Sequence, residues 1–108
     1  MEKIAFNFKN RTAVVTGGAQ GFGFDISKRL LNSGARVIIW DNDPKAIETA
    51  IKDLNSPNFS SHVVDVSNYK EVDKTVKEIT KNSNIDVLIN NAGITGPTAT
   101  LWEYDIEM

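Results

Sequence analysis

The sequence predicts an α/β fold, a doubly wound parallel sheet of about four strands and three helices, and three observations lead there. Short apolar runs alternate with longer segments of helical spacing. Those runs are nearly continuous in apolar residues, as strands covered on both faces of a parallel sheet must be. The first of them opens into a glycine-rich turn, Thr16-Gly17-Gly18-Ala19-Gln20-Gly21-Phe22-Gly23, ahead of a helix. Strand, glycine turn and helix in that order are what give such glycines meaning.

Taken in order, residues 1–11 read as a polar lead-in with Phe6 and Phe8 against the edge of the sheet. Residues 12–16 form the first strand. The first helix spans about Gly21 to Asn32, with Phe22, Ile26 and Leu30 at i, i+4 and i+8 as its buried stripe. Ser33-Gly34 ends it, Gly34 serving as the C-terminal cap. The second strand is Arg36 to Asp41. Asp43 as N-cap and Pro44 at the first helical position start the second helix. Its apolar face is Ala46, Ile47, Ala50, Ile51 and Leu54, and Asn55-Ser56-Pro57-Asn58 stops it. The third strand is expected over about Ser60 to Val66. Asn68 with Glu71 forms a capping box for a third helix whose inner face is Val72, Val76 and Ile79. Lys70, Asp73, Lys74, Lys77 and Lys81 make its solvated side. The fourth strand is Ile85 to Ile89, with Asn90-Asn91-Ala92-Gly93 as its exit.

A chain of 108 residues holds one domain at most. Its hydrophobic share of 41% and charged share of 24% are ordinary for a globular protein. A net charge of −2 and a pI near 5.3 supply no basic footprint, which argues against a nucleic-acid partner. No apolar run approaches the length that spans a bilayer, so no membrane association is expected. The amino terminus lacks the apolar centre of a signal peptide. With no cysteine, disulfides, thiolate catalysis and cysteine-ligated metals are excluded, and a cytoplasmic setting is expected.

The candidate site gathers at the carboxyl ends of the strands. Gly17 can turn where a Cβ would be strained. Gly21 and Gly23 let an anion approach the backbone and let the helix sit close to its strand. The helix presents unpaired N–H groups and a positive dipole end, which suit a pyrophosphate. A tight turn with no ligand would select glycines too. Asp41 closes the second strand twenty positions after Gly21, where a carboxylate accepts hydrogen bonds from the ribose of an adenine nucleotide. It would repel a 2′-phosphate, no Arg or Lys stands beside it, and Gln20 in the loop is uncharged, so NAD is expected over NADP. Asp41 could otherwise be a solvated residue or a cap. Asp65 and Val66 could frame an adenine, although a capping role for Asp65 weighs about equally. Asn90 is expected to tie strand ends together, and Asn91 with Ala92 and Gly93 to line the site.

Together these motifs resemble the short-chain dehydrogenase/reductase family, from about Phe6 to the last residue. The glycine spacing, three residues then one, is the pattern of that family's short-chain branch, and the likeness leans toward 3-oxoacyl-carrier-protein reductases and sugar or polyol dehydrogenases. The resemblance implies a Rossmann-type fold holding NAD(H) or NADP(H), and hydride transfer between nicotinamide and a carbonyl or alcohol carbon. The implied cofactor contacts are Gly17, Gln20, Gly21, Phe22, Gly23, Asp41, Asn42, Asp65, Val66, Asn91, Ala92 and Gly93. Two departures stand out: Asp25 where the family carries a small residue, and Phe22 in place of Ile or Leu.

The family's catalytic Tyr, Lys, Ser and Asn lie beyond the fourth strand. Neither Tyr69 nor Tyr104 has a Lys four residues on, and His62 is a poor candidate on a strand. Residues 101–108 fall where the next helix should begin. The expectation is therefore the amino-terminal, NAD(P)-binding part of an oxidoreductase, incomplete at its carboxyl end, with no catalysis of its own. The alternatives are a non-catalytic dinucleotide-binding fragment and an NADP-dependent 3-oxoacyl-carrier-protein reductase. A bare fourth strand would expose the apolar edge Val87-Leu88-Ile89, so self-association is expected.

Overall fold

Strands β1 (Thr12–Thr16), β2 (Arg36–Asp41), β3 (Phe59–Val63) and β4 (Val87–Asn90) alternate with helices α1 (Gly21–Asn32), α2 (Pro44–Leu54) and α3 (Tyr69–Thr80). A fifth strand, β5 (Trp102–Asp105), follows. The computed structural model describes residues 8–91 together with the backbone of β5. The sheet order is β3-β2-β1-β4-β5; the first four strands are parallel and β5 runs antiparallel to β4.

The apolar runs become strands because both of their faces are covered. Ala13 and Val15 of β1, with Val37 and Ile39 of β2, pack against Leu30 of α1 and Ile47 and Ala50 of α2. Val14, Ile38 and Trp40 point the other way and meet Ile79 of α3, with Val72 and Val76 packed at the margin. Period-two alternation thus feeds two cores from the same strands. Phe8 packs on the first core, as expected; Phe6 lies outside the described residues.

The helix ends follow the local signals. Asp43 Oδ1 accepts from the N–H groups of Lys45 and Ala46, with Pro44 behind it. Asn68 Oδ1 accepts from Lys70 and Glu71. The box is modified: Glu71 reaches the Asn68 side-chain amide and the N–H of Asp65, because the N–H of Asn68 already donates to the Asp65 carbonyl. Gly34, at φ 98°, follows α1, and the N–H groups of Gly34 and Ala35 close onto Leu31 and Leu30.

Several expectations are corrected. Phe22 is not in the buried stripe of α1 but 70% exposed; the face that meets the sheet is Gly23, Ser27 and Leu30, with Ile26 half-buried. Close packing selects small residues there, and Ser27 satisfies its hydroxyl by donating to the Gly23 carbonyl at 2.8 Å. The third strand stops at Val63 rather than Val66. Asp65 turns the chain by accepting from the N–H and the hydroxyl of Ser67, a local bond that competes with the ladder. The fourth strand begins at Val87, since Asp86 uses its carboxylate to take the N–H of Thr12 at 2.8 Å. The edge of β4 is not bare: Val87, Leu88, Ile89 and Asn90 pair with Asp105, Tyr104, Glu103 and Trp102. Residues 102–105 are accordingly strand, not the start of a helix, and the stated ground for self-association falls away.

Candidate functional site

At the carboxyl ends of β1, β2 and β4 the chain builds one connected corner. Thr16 ends β1, and its hydroxyl lies 3.0 Å from Asn90 Oδ1 and accepts the N–H of Asn91 at 2.6 Å. The β4 exit is thereby fastened to the root of the glycine turn. Gly17 follows at φ 64° and donates its N–H to the Trp40 carbonyl at 2.6 Å, which ties the turn to β2.

The glycines of the turn answer to different constraints. Gly17 and Gly21 both have positive φ, 64° and 52°, and space around Gly21 is open to 4 Å where a Cβ would project. Gly21 therefore leaves room for a ligand above it. Gly23 has no room: a Cβ there would overlap the Gly17 carbonyl and come within 2.9 Å of Asn91 Nδ2. Its missing side chain lets α1 settle on the turn and lets the Asn91 amide reach the same corner. Gly18 is equally constrained, because a Cβ would overlap the Ile39 side chain of β2. The doubled glycine after a strand was the available signal.

Asp41 is 7% exposed at the end of β2. Its Oδ2 accepts from the N–H of Ala19 at 3.3 Å and its Oδ1 from the N–H of Asp43 at 3.1 Å. The carboxylate is thus pinned beside the glycine turn, with lone pairs left for further donors. Ala19, silent in the sequence, is the residue that joins the acid to the turn.

Gln20 is the N-cap of α1, extended at φ −141°, and its side chain makes no capping bond. No acidic residue stands in the first turn of that helix. The amino end of α1 consequently keeps its backbone donors and dipole uncovered next to Gly21. Gln20 and Phe22 are exposed here, and Phe22 sets an aromatic ring at the mouth of the turn. Asp25 is exposed on α1.

The remaining expected contacts divide. Asn42 is exposed next to Asp41, and Asn91 is half-buried at the corner. Asn90 has the tying role expected of it. Asp65 is exposed and committed to its own turn; hydrogen bonds from the Ser67 hydroxyl and then the Ser67 N–H hold its carboxyl below the usual carboxylate range. Asp65 makes a local turn and does not cap α3, whose N-cap is Asn68. Val66 is half-buried against the α3 core. Ala92 and Gly93 lie outside the described residues. Among the described residues no cluster of His, Cys, Asp and Glu could hold a metal ion, and no helix is long and apolar enough to cross a membrane.

An uncapped helix end, an open glycine and a pinned carboxylate meet in one corner, an arrangement whose chemistry suits an anion beside a hydroxyl-bearing group. Comparisons agree with that geometry. Residues 11–107 match the short chain dehydrogenase family model. A 2-dehydro-3-deoxy-L-rhamnonate dehydrogenase (NAD(+)) of Sphingomonas sp. strain SKA58 is 33% identical over 99% of this chain and 43% of its own length. A 3-oxoacyl-[acyl-carrier-protein] reductase of Chlamydia trachomatis is 41% identical over 80% of this chain and 36% of its own. The solved RhlG/NADP active-site complex of Pseudomonas aeruginosa superposes with a TM-score of 0.74 at 32% identity, covering 83% of this chain and 37% of that one. The chain therefore spans well under half the length of the relatives it matches.

Proposed function

The chain belongs to the short-chain dehydrogenase family, and from that premise we propose that it is the dinucleotide-holding part of an NAD-dependent oxidoreductase acting on a carbonyl or alcohol. The observation that carries the reading is Asp41, a nearly buried carboxylate pinned by Ala19 and Asp43 beside the uncapped end of α1. A carboxylate held there accepts bonds from both ribose hydroxyls and repels a 2′-phosphate. Neither Gln20 nor Asn42 offers a compensating positive charge. The α1 donors and the space above Gly21 suit the pyrophosphate, and Asn91, Ala92 and Gly93 are assigned to the ribose nearer the nicotinamide. Val66 is assigned to the adenine. Asp65, spent on Ser67, contributes there through its position in the chain.

The bound nicotinamide would supply hydride transfer. The residues of this chain bind and orient it, and none of them is assigned a proton-transfer role: Tyr69 sits exposed at the start of α3 with Asp73 four residues on. The polypeptide of residues 1–108 is thus proposed to bind NADH without oxidising it against carbonyl substrates. A cytoplasmic setting fits a chain without cysteine. Similarity to an NADP complex favours a second reading, NADP use, which the charge of Asp41 opposes.

Titration with NADH and NADPH, followed by nicotinamide fluorescence, tests the choice. NADH should bind more tightly, and Asp41→Asn, which keeps shape and one acceptor, should narrow the preference about tenfold, or about 1.4 kcal/mol. Tighter binding of NADPH by the parent, or a larger loss of NADPH than of NADH in the variant, would overturn NAD use.

A further inference from the structure

The glycine corner occupies the carboxyl edge of the sheet. At the opposite edge, around the amino ends of β1 and β2, lies a separate cavity of about 750 Å³. That is within the size range of small-molecule sites. Its walls come from three stretches distant in sequence: the turn at residues 9–12, the end of α1 at 32–34, and the starts of β2 and β3 at Arg36 and Asn58.

The charge of this cavity runs against the charge of the chain. Acidic residues outnumber basic ones, 14 to 12, yet the described residues that line the cavity include Lys9, Arg11 and Arg36 and no Asp or Glu. Arg11 and Arg36 are exposed, and neither guanidinium forms an ion pair among the described residues. Asn10, Asn32, Asn58 and Ser33 add polar groups to the same walls. Asp86 is the carboxylate fixed close by, and one of its oxygens is committed to the N–H of Thr12. Arg36 also borders a smaller cavity of about 180 Å³ that contains Glu78, without forming an ion pair with it.

The backbone holds the cations together. The N–H of Arg36 donates to the Arg11 carbonyl at 2.9 Å, that of Arg11 to Phe8 at 2.9 Å, that of Val37 to Asn58 at 2.8 Å, and that of Phe8 to Ser33 at 2.8 Å. Asn10, at φ 68°, and Gly34, at φ 98°, bring the two turns face to face, with room for no more than a hydrogen between Gly34 and the Lys9 backbone without crowding. The carbonyl end of α1 reaches this edge, but its last carbonyls are taken by the N–H groups of Ser33, Gly34 and Ala35. Competing acceptors are thereby largely quenched. Two guanidinium groups on a rigid frame recognise a planar or tetrahedral oxyanion by paired N–H donation.

We propose that this amino-edge cavity is a second anion site, distinct from the dinucleotide corner, that takes a phosphate-bearing small molecule through Arg11 and Arg36. It is independent of which dinucleotide the other edge holds.

The test is an amide ¹H–¹⁵N titration of the chain with sodium pyrophosphate, against sodium chloride at matched ionic strength. Saturable shifts at Gly34, Arg36 and Asn58 are expected with pyrophosphate and not with chloride. Arg11→Gln with Arg36→Gln should raise the dissociation constant at least about tenfold while NADH-induced shifts at Gly17, Gly21 and Gly23 persist. Persistence of those shifts also shows that the variant is folded. Should the double variant fail to fold, Arg36→Gln alone must still weaken pyrophosphate. Shifts confined to the glycine turn, shifts reproduced by chloride, or equal affinity in a folded variant would overturn the proposal.

Discussion

At the amino ends of α2 and α3 a side chain takes the exposed backbone donors, and at the amino end of α1 none does. Asp43 accepts two N–H bonds at the start of α2, and Asn68 accepts two at the start of α3 with Glu71 in support. Gln20, the N-cap of α1, leaves its donors uncovered. All three ends lie at the carboxyl edge of one parallel sheet, so the difference belongs to the residues and not to the setting. A capping side chain contributes about 1 kcal/mol to a helix. At α1 that contribution is forgone.

The comparison can be broken most forcefully at Gly23. Gly23→Ala places a methyl on the Gly17 carbonyl and against Asn91, and should cost about 3 kcal/mol in urea unfolding and weaken NADH about a hundredfold. A variant that binds NADH like the parent would mean that the corner does not need its close packing. Gln20→Asp converts α1 into a helix capped like α2. It should raise stability by about 1 kcal/mol and lower NADH affinity about tenfold, because the new carboxylate faces the pyrophosphate. If both quantities rise, the open end of α1 is not the phosphate seat.

The converse change is milder. Asp43→Ala should lower stability by about 1 kcal/mol and leave NADH binding within about twofold, since Asp41 is held by the Asp43 backbone and not its side chain. The smallest effect concerns Asp65. Its carboxyl titrates below the ordinary 3.8 because Ser67 bonds the charged form. A depressed folded-state value stabilises above the ordinary value and is lost as pH falls through the lower one. Ser67→Ala should therefore lower the unfolding midpoint at about pH 5 and approach the parent at about pH 2, by thermal melts monitored with circular dichroism.

What could be read from the residues was what neighbours in the chain decide. Asp43-Pro44, Asn68 with Glu71, and Ser33-Gly34 mark helix ends through bonds spanning a few residues, and all three ends are found there, the Asn68–Glu71 pair in modified form. Asp41, at a fixed distance from Gly21, was also legible, because strand and helix lengths carry it to the glycine turn. Less legible was whatever depends on how closely elements approach. The periodicity of Phe22, Ile26 and Leu30 suggested a buried stripe, yet contact with the turn selects Gly23 and Ser27 and turns Phe22 outward. Asp65 looked like strand, and its own hydrogen bond to Ser67 ended that strand early.

The sequence by itself determined the class of fold, the alternation of its first four strands and three helices, and the place of the glycine turn between β1 and α1, since periodicity and capping are local properties. Only the tertiary structure decided that Gly18 and Gly23 are small to fit Ile39 and the Gly17 carbonyl, and that Thr16 locks β4 to the turn. It also decided that β5 closes the edge of β4 and that Arg11 meets Arg36 across two strands. Apart from the approach of Gly23 to Gly17, these join segments distant along the chain, and a chain specifies them through the packing of whole elements rather than through any spacing along its length.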